Sequence, residues 1–149
     1  LTSGMTVALA TENEILNPLM MKDFMLRTHV DAVCFTPAYA QTLFGIPEMR
    51  EALANVRTYD FGAEAFPGVL LTKIREVNPD AYVMNGYGPT EATISCTMKV
   101  MESPDDVTIG RPNANVYVFV VDEELNEVPK GSPGELLKRP RKPSCVLRG

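Results

Sequence analysis

The sequence predicts an α/β fold: a doubly wound, mostly parallel sheet followed by a short β-rich segment. Two observations carry this. Between residues 31 and 84, short apolar runs of strand length alternate with longer helical runs, the pattern of a sheet built by strand–helix–strand crossovers. Beyond residue 91 the alternation stops, and β-prone runs separated by turn residues take over, which reads as antiparallel strands and hairpins.

The elements follow in order. The apolar run 5–10 reads as a buried strand. Asn17-Pro18 opens a helix, because Asn is a favoured N-cap and Pro is tolerated in the first turn. Leu19, Met20, Phe24, Met25 and Leu26 form its apolar face to about Thr28, a methionine-rich stripe suited to core filling. Residues 31–36 read as a buried parallel strand ending at Pro37. A helix is expected over 38–44, a second over 47–55, a strand over 56–61 and a helix over 67–77. Asn78-Pro79-Asp80 is a turn, and the strand 81–84 delivers the chain into Asn85. Strands are expected over 93–100 and 116–122, and Pro129 to Gly134 is a turn before Glu135-Leu136-Leu137. A boundary near Ser103-Pro104-Asp105 divides an α/β subdomain, 1–102, from a β-rich segment, 103–137, and a basic, disordered tail, 138–149.

Composition sets the broad class. The chain has 149 residues, 45% hydrophobic and 22% charged, ordinary values for a globular domain with a core of its own. No apolar run approaches the roughly 18 residues of a membrane span, and the first residues lack the basic-then-apolar pattern of a secretory signal. Cys34, Cys96 and Cys145 are too far apart for a metal knuckle; they read as free thiols of a reducing, cytoplasmic compartment. His29 has no local carboxylate pair and reads as structural. The net charge of −5 conceals an asymmetry: the five cations from Lys138 onward leave nine cations against nineteen acids in residues 1–137. The tail has no aromatic residue for stacking and no helical pattern, so neither nucleic acid nor a membrane is expected as a partner.

In open α/β sheets, ligands bind beyond the carboxyl ends of the strands. Three stretches fall there: 34–37, 60–64 and 85–91. The last is Asn85-Gly86-Tyr87-Gly88-Pro89-Thr90-Glu91. Its glycines and proline set a tight turn. Tyr87 offers a face for a base, Thr90 a hydroxyl for a phosphate oxygen, and Glu91 a hard oxygen ligand for Mg²⁺.

This motif resembles the nucleotide-binding motif of amino-acid adenylation domains of non-ribosomal peptide synthetases, in the AMP-binding superfamily that includes acyl-CoA synthetases, luciferases and D-alanine-activating ligases. Ile109-Gly110-Arg111-Pro112, followed by Gly134-Glu135-Leu136, is similar to a second segment of those domains, in the same order. Gly62-Ala63-Glu64-Ala65 is similar to their Gly-Gly-Glu-Ala loop, with Ala63 in place of the second glycine. The resemblance runs over roughly residues 2–137.

The resemblance implies an enzyme that uses ATP and Mg²⁺ to join an amino acid to AMP, then passes the acyl group to the phosphopantetheine thiol of a carrier protein. Tyr87 would flank the adenine, with Asn85, Gly86 and Gly88 around it and Gly62 and Ala63 as backbone walls. Thr90 would contact the α-phosphate and Glu91 would bind the metal; these two are the expected catalytic residues. Cys34, Asp60, Gly62, Gly86, Ile94 and Ser95 would line the amino-acid pocket. The departures matter as well. The family's phosphate loop with its lysine, the acid that holds the α-amino group, the downstream ribose-binding aspartate, the hinge and the catalytic lysine have no counterpart here. Matching stops after Leu137. The chain is thus expected to be a central piece of such an enzyme, with little turnover alone, partners in the remaining synthetase domains, and a tendency to self-associate through exposed apolar faces. A D-alanine-carrier-protein ligase, an acyl-CoA synthetase and a non-catalytic scaffold that keeps only the fold are the alternatives.

Overall fold

The computed structural model describes residues 4–90, 95–140 and 147–148. The chain groups into two compact units, Leu1–Met84 with Met101–Val107, and Asn85–Val100 with Thr108–Gly149.

The first unit is an α/β layer. Helix α1 (Glu12–Leu16) starts on a capping box, Thr11 with Glu14, and α2 (Pro18–Thr28) starts on Asn17. The Asn17 Oδ1 accepts from Leu19 N at 3.0 Å and Met20 N at 3.4 Å, satisfying two of the donors that a helix start leaves free. Strand β1 (Ala32–Phe35) is followed by α3 (Pro37–Phe44), a 3₁₀ turn (Pro47–Met49), α4 (Arg50–Ala54) and β2 (Thr58–Phe61). β1 and β2 are parallel, with Cys34 opposite Asp60, as a helical crossover requires. Helix α5 (Gly68–Val77) leads to β3 (Tyr82–Tyr87), whose opening half is the next strand after β2. Tyr59, Phe61, Leu43, Leu53, Leu70, Ile74 and Val83 form the core. The Tyr59 ring stacks on Phe61 at 6.1 Å, and its hydroxyl donates to Leu53 O at 2.8 Å, so the one polar atom of this buried ring is satisfied.

Four expectations for this unit need correction. Residues 5–10 form no strand: Met5 is 64%, Val7 57% and Leu9 83% exposed. An apolar run becomes a strand only with a neighbour for its backbone groups, and none pairs with it among the described residues. β1 is not buried; it ends the sheet order, and Ala32 and Cys34 are exposed. Helix α2 buries Met21, Phe24 and Met25 while Leu19 and Met20 face outward. The helix expected over 47–55 is a 3₁₀ turn joined to α4.

In the second unit, the closing half of β3 neighbours β4 (Thr97–Val100), then β5 (Arg111–Pro112), which is antiparallel to β4. β3 thus extends three residues past the expected end, so that Asn85, Gly86 and Tyr87 are strand and not turn. A separate antiparallel sheet has the order β6-β7-β8, from β6 (Val116–Val121), β7 (Glu135–Pro140) and β8 (Leu147–Arg148). Asp122 closes β6: its Oδ1 accepts from Asn126 N at 2.8 Å and Glu124 N at 3.1 Å. The expected solvated end does not begin at Lys138, because β7 continues through Pro140 and Lys138 is 2% exposed.

Candidate functional site

In the first unit, Cys34 and Asp60 are cross-strand neighbours near the carboxyl ends of β1 and β2. Burial raises the pKa of Asp60. The Cys34 thiol is raised as well, first by partial desolvation of its sulfur, although the residue as a whole is exposed, and second by the Asp60 carboxylate. Gly62 and Ala63 follow β2 directly. Ala63 has φ 70°, the left-handed region that favours glycine. The loop is braced by Glu64, whose Oε2 accepts from Ala38 N at 3.0 Å. Ala38 lies in the first turn of α3, where free donors and the helix dipole favour a carboxylate. The sequence marked Glu64 only as part of a loop; the tie to α3, 26 residues away, had no local signal.

In the second unit, Asn85 is 6% exposed and its Nδ2 donates to Thr108 O at 3.0 Å. The next residues are Ile109-Gly110-Arg111-Pro112, so the two sequence motifs are joined by one side chain. Gly110 has φ +76°, and a Cβ there would run into the Met98 carbonyl on β4; glycine alone lets β5 approach β4 so closely. Asn113 donates from Nδ2 to Ser95 Oγ at 3.2 Å and Ser95 O at 3.2 Å. Ser95 Oγ in turn donates to Thr97 O at 3.2 Å, so the hydroxyl of Ser95 is engaged within the unit.

Tyr87 is the centre of this unit's contacts. Its carbonyl accepts from Cys96 N at 2.8 Å and from Cys96 Sγ at 3.2 Å, which fixes the backbone of the motif. Its ring carries the Lys138 ammonium 4.5 Å from the centroid, and its hydroxyl accepts from Lys138 Nζ at 3.3 Å. Gly86 and Gly88 are half-buried, and Thr90 is exposed. Glu91 and Ile94 lie outside the described residues. The unit therefore presents a half-buried aromatic ring, an exposed threonine three residues further on, and a buried cation against the ring. The burial of Lys138 against Tyr87 had no local signal, since nothing in Leu136-Leu137-Lys138 distinguishes a buried lysine from a solvated one.

Comparison with known proteins agrees with this reading of the motifs. The chain is 30% identical over 135 residues to tyrocidine synthase 3 of Brevibacillus parabrevis, covering 90% of this chain and 2% of that protein. It is 33% identical over 137 residues to phosphinothricin tripeptide synthetase PhsB of Streptomyces viridochromogenes, covering 91% of this chain and 11% of that protein. It is 25% identical over 143 residues to the D-alanine–D-alanyl carrier protein ligase of Bacillus velezensis, covering 92% of this chain and 28% of the ligase. Among solved structures, the four-domain non-ribosomal peptide synthetase AB3403, bound to AMP and glycine, superposes with a TM-score of 0.77 at 25% identity, over 89% of this chain and 10% of that one. CmiS6 superposes with a TM-score of 0.79 at 22% identity, over 89% of this chain and 33% of that one; at that identity the likeness shows the fold alone. The chain thus spans under a third of the length of these relatives. The family match also runs past Leu137, where the sequence resemblance was expected to stop. With the model for AMP-binding enzymes matching residues 1–149, the chain belongs to the AMP-binding enzyme family.

Proposed function

We propose that the chain is the central α/β part of an ATP-dependent ligase that activates an amino acid as its aminoacyl-AMP and loads it on a carrier-protein thiol. The observation that carries this reading is the Asn85 side chain bonded to Thr108 O. It ties the Tyr-Gly-Pro-Thr-Glu motif to the Ile-Gly-Arg-Pro motif in one compact unit, with the Tyr87 ring and the Thr90 hydroxyl on the same stretch of chain.

The chemistry needs few protein groups. A substrate carboxylate attacks the α-phosphorus of ATP, a bond to the carboxylate oxygen forms, and pyrophosphate leaves. Negative charge on the phosphate oxygens is the quantity to stabilise. In this reading Tyr87, with Asn85, Gly86 and Gly88, receives the adenine. Gly62 and Ala63 supply backbone walls for the nucleotide. Thr90 donates its hydroxyl to the α-phosphate. Glu91 is the Mg²⁺ ligand, and the ion would neutralise phosphate charge. Its assignment rests on the motif; among the described residues no group of three or more His, Cys, Asp or Glu side chains gathers for a metal ion. By the family motif, Cys34, Asp60 and Gly62 would be amino-acid-pocket residues of the first unit, and Gly86, Ile94 and Ser95 of the second. The charge on the phosphate groups would still need cations and hinge elements from the rest of the parent, so the chain alone turns over little or nothing. Its exposed Met5, Val7, Leu9, Leu16 and Leu19 favour self-association when those parts are missing. An ATP-consuming enzyme with free thiols belongs in the cytoplasm. The described residues contain no helix long and apolar enough to cross a membrane.

Isothermal calorimetry with ATP and Mg²⁺ tests the reading. Binding is expected, weakened by Thr90→Val; no heat with ATP favours a scaffold that keeps only the fold. Grafting the chain into a complete relative and measuring amino-acid-dependent pyrophosphate exchange tests the reaction class. The match to a D-alanyl carrier protein ligase supports a second reading, so D-alanine belongs in the substrate screen; exchange with D-alanine alone would select it.

A further inference from the structure

We propose that Lys138 is an anion-binding residue that takes a phosphate group beside Tyr87. The proposal deepens the nucleotide reading of Tyr87 and rests on it for the identity of the ligand.

Lys138 is placed rigidly. β7 is the middle strand of its sheet, and Lys138 is paired with Val118 on one side and Leu147 on the other. The side chain is 2% exposed, a rare state for a lysine without an acid. Among the described residues its partners are the Tyr87 ring, 4.5 Å from Nζ to the centroid, and the Tyr87 hydroxyl at 3.3 Å. Lys22 pairs with Glu51 and Arg27 with Glu14; among the described residues no carboxylate forms a salt bridge with Lys138. A ring face and one phenol oxygen return less than the desolvation of an ammonium costs. The ammonium has three donors, and one phenol oxygen uses one of them. A phosphate oxygen supplies both the missing charge and the missing acceptors, through charge-assisted hydrogen bonds.

The position suits a nucleotide in particular. Thr90, three residues after Tyr87, is exposed, and its hydroxyl is the group the nucleotide reading gives to the α-phosphate. Tyr87 has two faces, and Nζ lies against one. A base stacked on the opposite face would not compete with the cation for the ring.

The test is calorimetry on the 149-residue chain with adenosine, AMP, ATP and inorganic phosphate as separate ligands. Wild type is expected to bind AMP and ATP more tightly than adenosine. Lys138→Met, which keeps length and apolar bulk, should weaken AMP and ATP about tenfold or more and leave adenosine unchanged, while Lys138→Arg keeps most of the AMP affinity. Equal AMP affinity in wild type and Lys138→Met overturns the proposal. So does tighter binding of all three adenine ligands by Lys138→Met, which would make Lys138 a cover over the ring. Should the Met variant fail to fold, the wild type still decides: the Lys138 Cε resonance should shift with AMP and with inorganic phosphate but not with adenosine, and no shift overturns the proposal. Phosphate binding at Lys138 without any adenine ligand binding would refute the nucleotide reading and leave the anion site standing.

Discussion

Ala63 is the residue at which sequence and backbone disagree most plainly. Its φ of 70° costs an L-residue about 1–2 kcal/mol, against about 0.5–1 kcal/mol of extra chain entropy for glycine. Ala63→Gly is therefore expected to stabilise the chain by about 0.5–1 kcal/mol in urea unfolding, and a loss of stability would show that the alanine methyl packs favourably. Asp60 carries a pH signature. Its folded-state pKa is raised by burial, so the folded state holds a proton more strongly than the unfolded chain. Stability then falls as pH rises from the ordinary carboxylate range through the folded value. Asp60→Asn should be more stable than wild type at neutral pH, with the gap closing as the solution is acidified to below the ordinary carboxylate pKa. The same substitution removes one of the two causes raising Cys34, so alkylation of that thiol should begin at lower pH. An unchanged alkylation profile would mean that burial alone governs the thiol.

At the scale of elements, the contact between β4 and β5 depends on Gly110. Its positive φ and the Met98 carbonyl at the place of a Cβ act together. Gly110→Ala should cost about 2–4 kcal/mol, from left-handed strain and overpacking combined. Thermal unfolding measures this, and a change below about 0.5 kcal/mol would mean that β5 yields easily. Because Thr108 precedes Gly110 and accepts from Asn85, the variant should also disturb the Tyr87 motif. Buried Thr97 makes the opposite case. Its Oγ1 lacks a hydrogen-bond partner among the described residues, so Thr97→Val removes an unsatisfied group at little change of shape. A gain of about 1 kcal/mol is expected. A loss of stability in the same unfolding assay would indicate a partner such as a bound water.

For the whole molecule, protection of backbone amides from hydrogen exchange should follow burial and pairing rather than hydrophobicity. Amides of residues 5–10 should exchange within the dead time although the run is apolar, since Met5, Val7 and Leu9 are exposed and unpaired. Tyr59, Phe61 and Val83, fully buried in the first unit, should be among the slowest. Slow exchange over 5–10 would mean that another strand, from a second copy of the chain, covers this run.

The sequence by itself determined the alternation of strands and helices from β1 to β3, the start of α2 at Asn17-Pro18, and the antiparallel character of the C-terminal part. These rest on local chemistry: periodicity, caps and turn residues act within a few positions of one another. It also carried a signal that went unread, since Thr11 and Glu14 have the capping-box spacing that starts α1. The motifs that identify the family were legible because they are short runs of particular residues, Asn85 to Glu91 and Ile109 to Pro112. The tertiary structure decided the rest. It made the run 5–10 bare and β1 an edge, because a strand is completed only by neighbours from elsewhere in the chain. It spent Asn85 on Thr108 and Glu64 on α3, and it buried Lys138 against Tyr87, 51 residues away. No local pattern encodes such contacts; they follow from which strands come together, and that pairing buries a lysine that would otherwise be solvated.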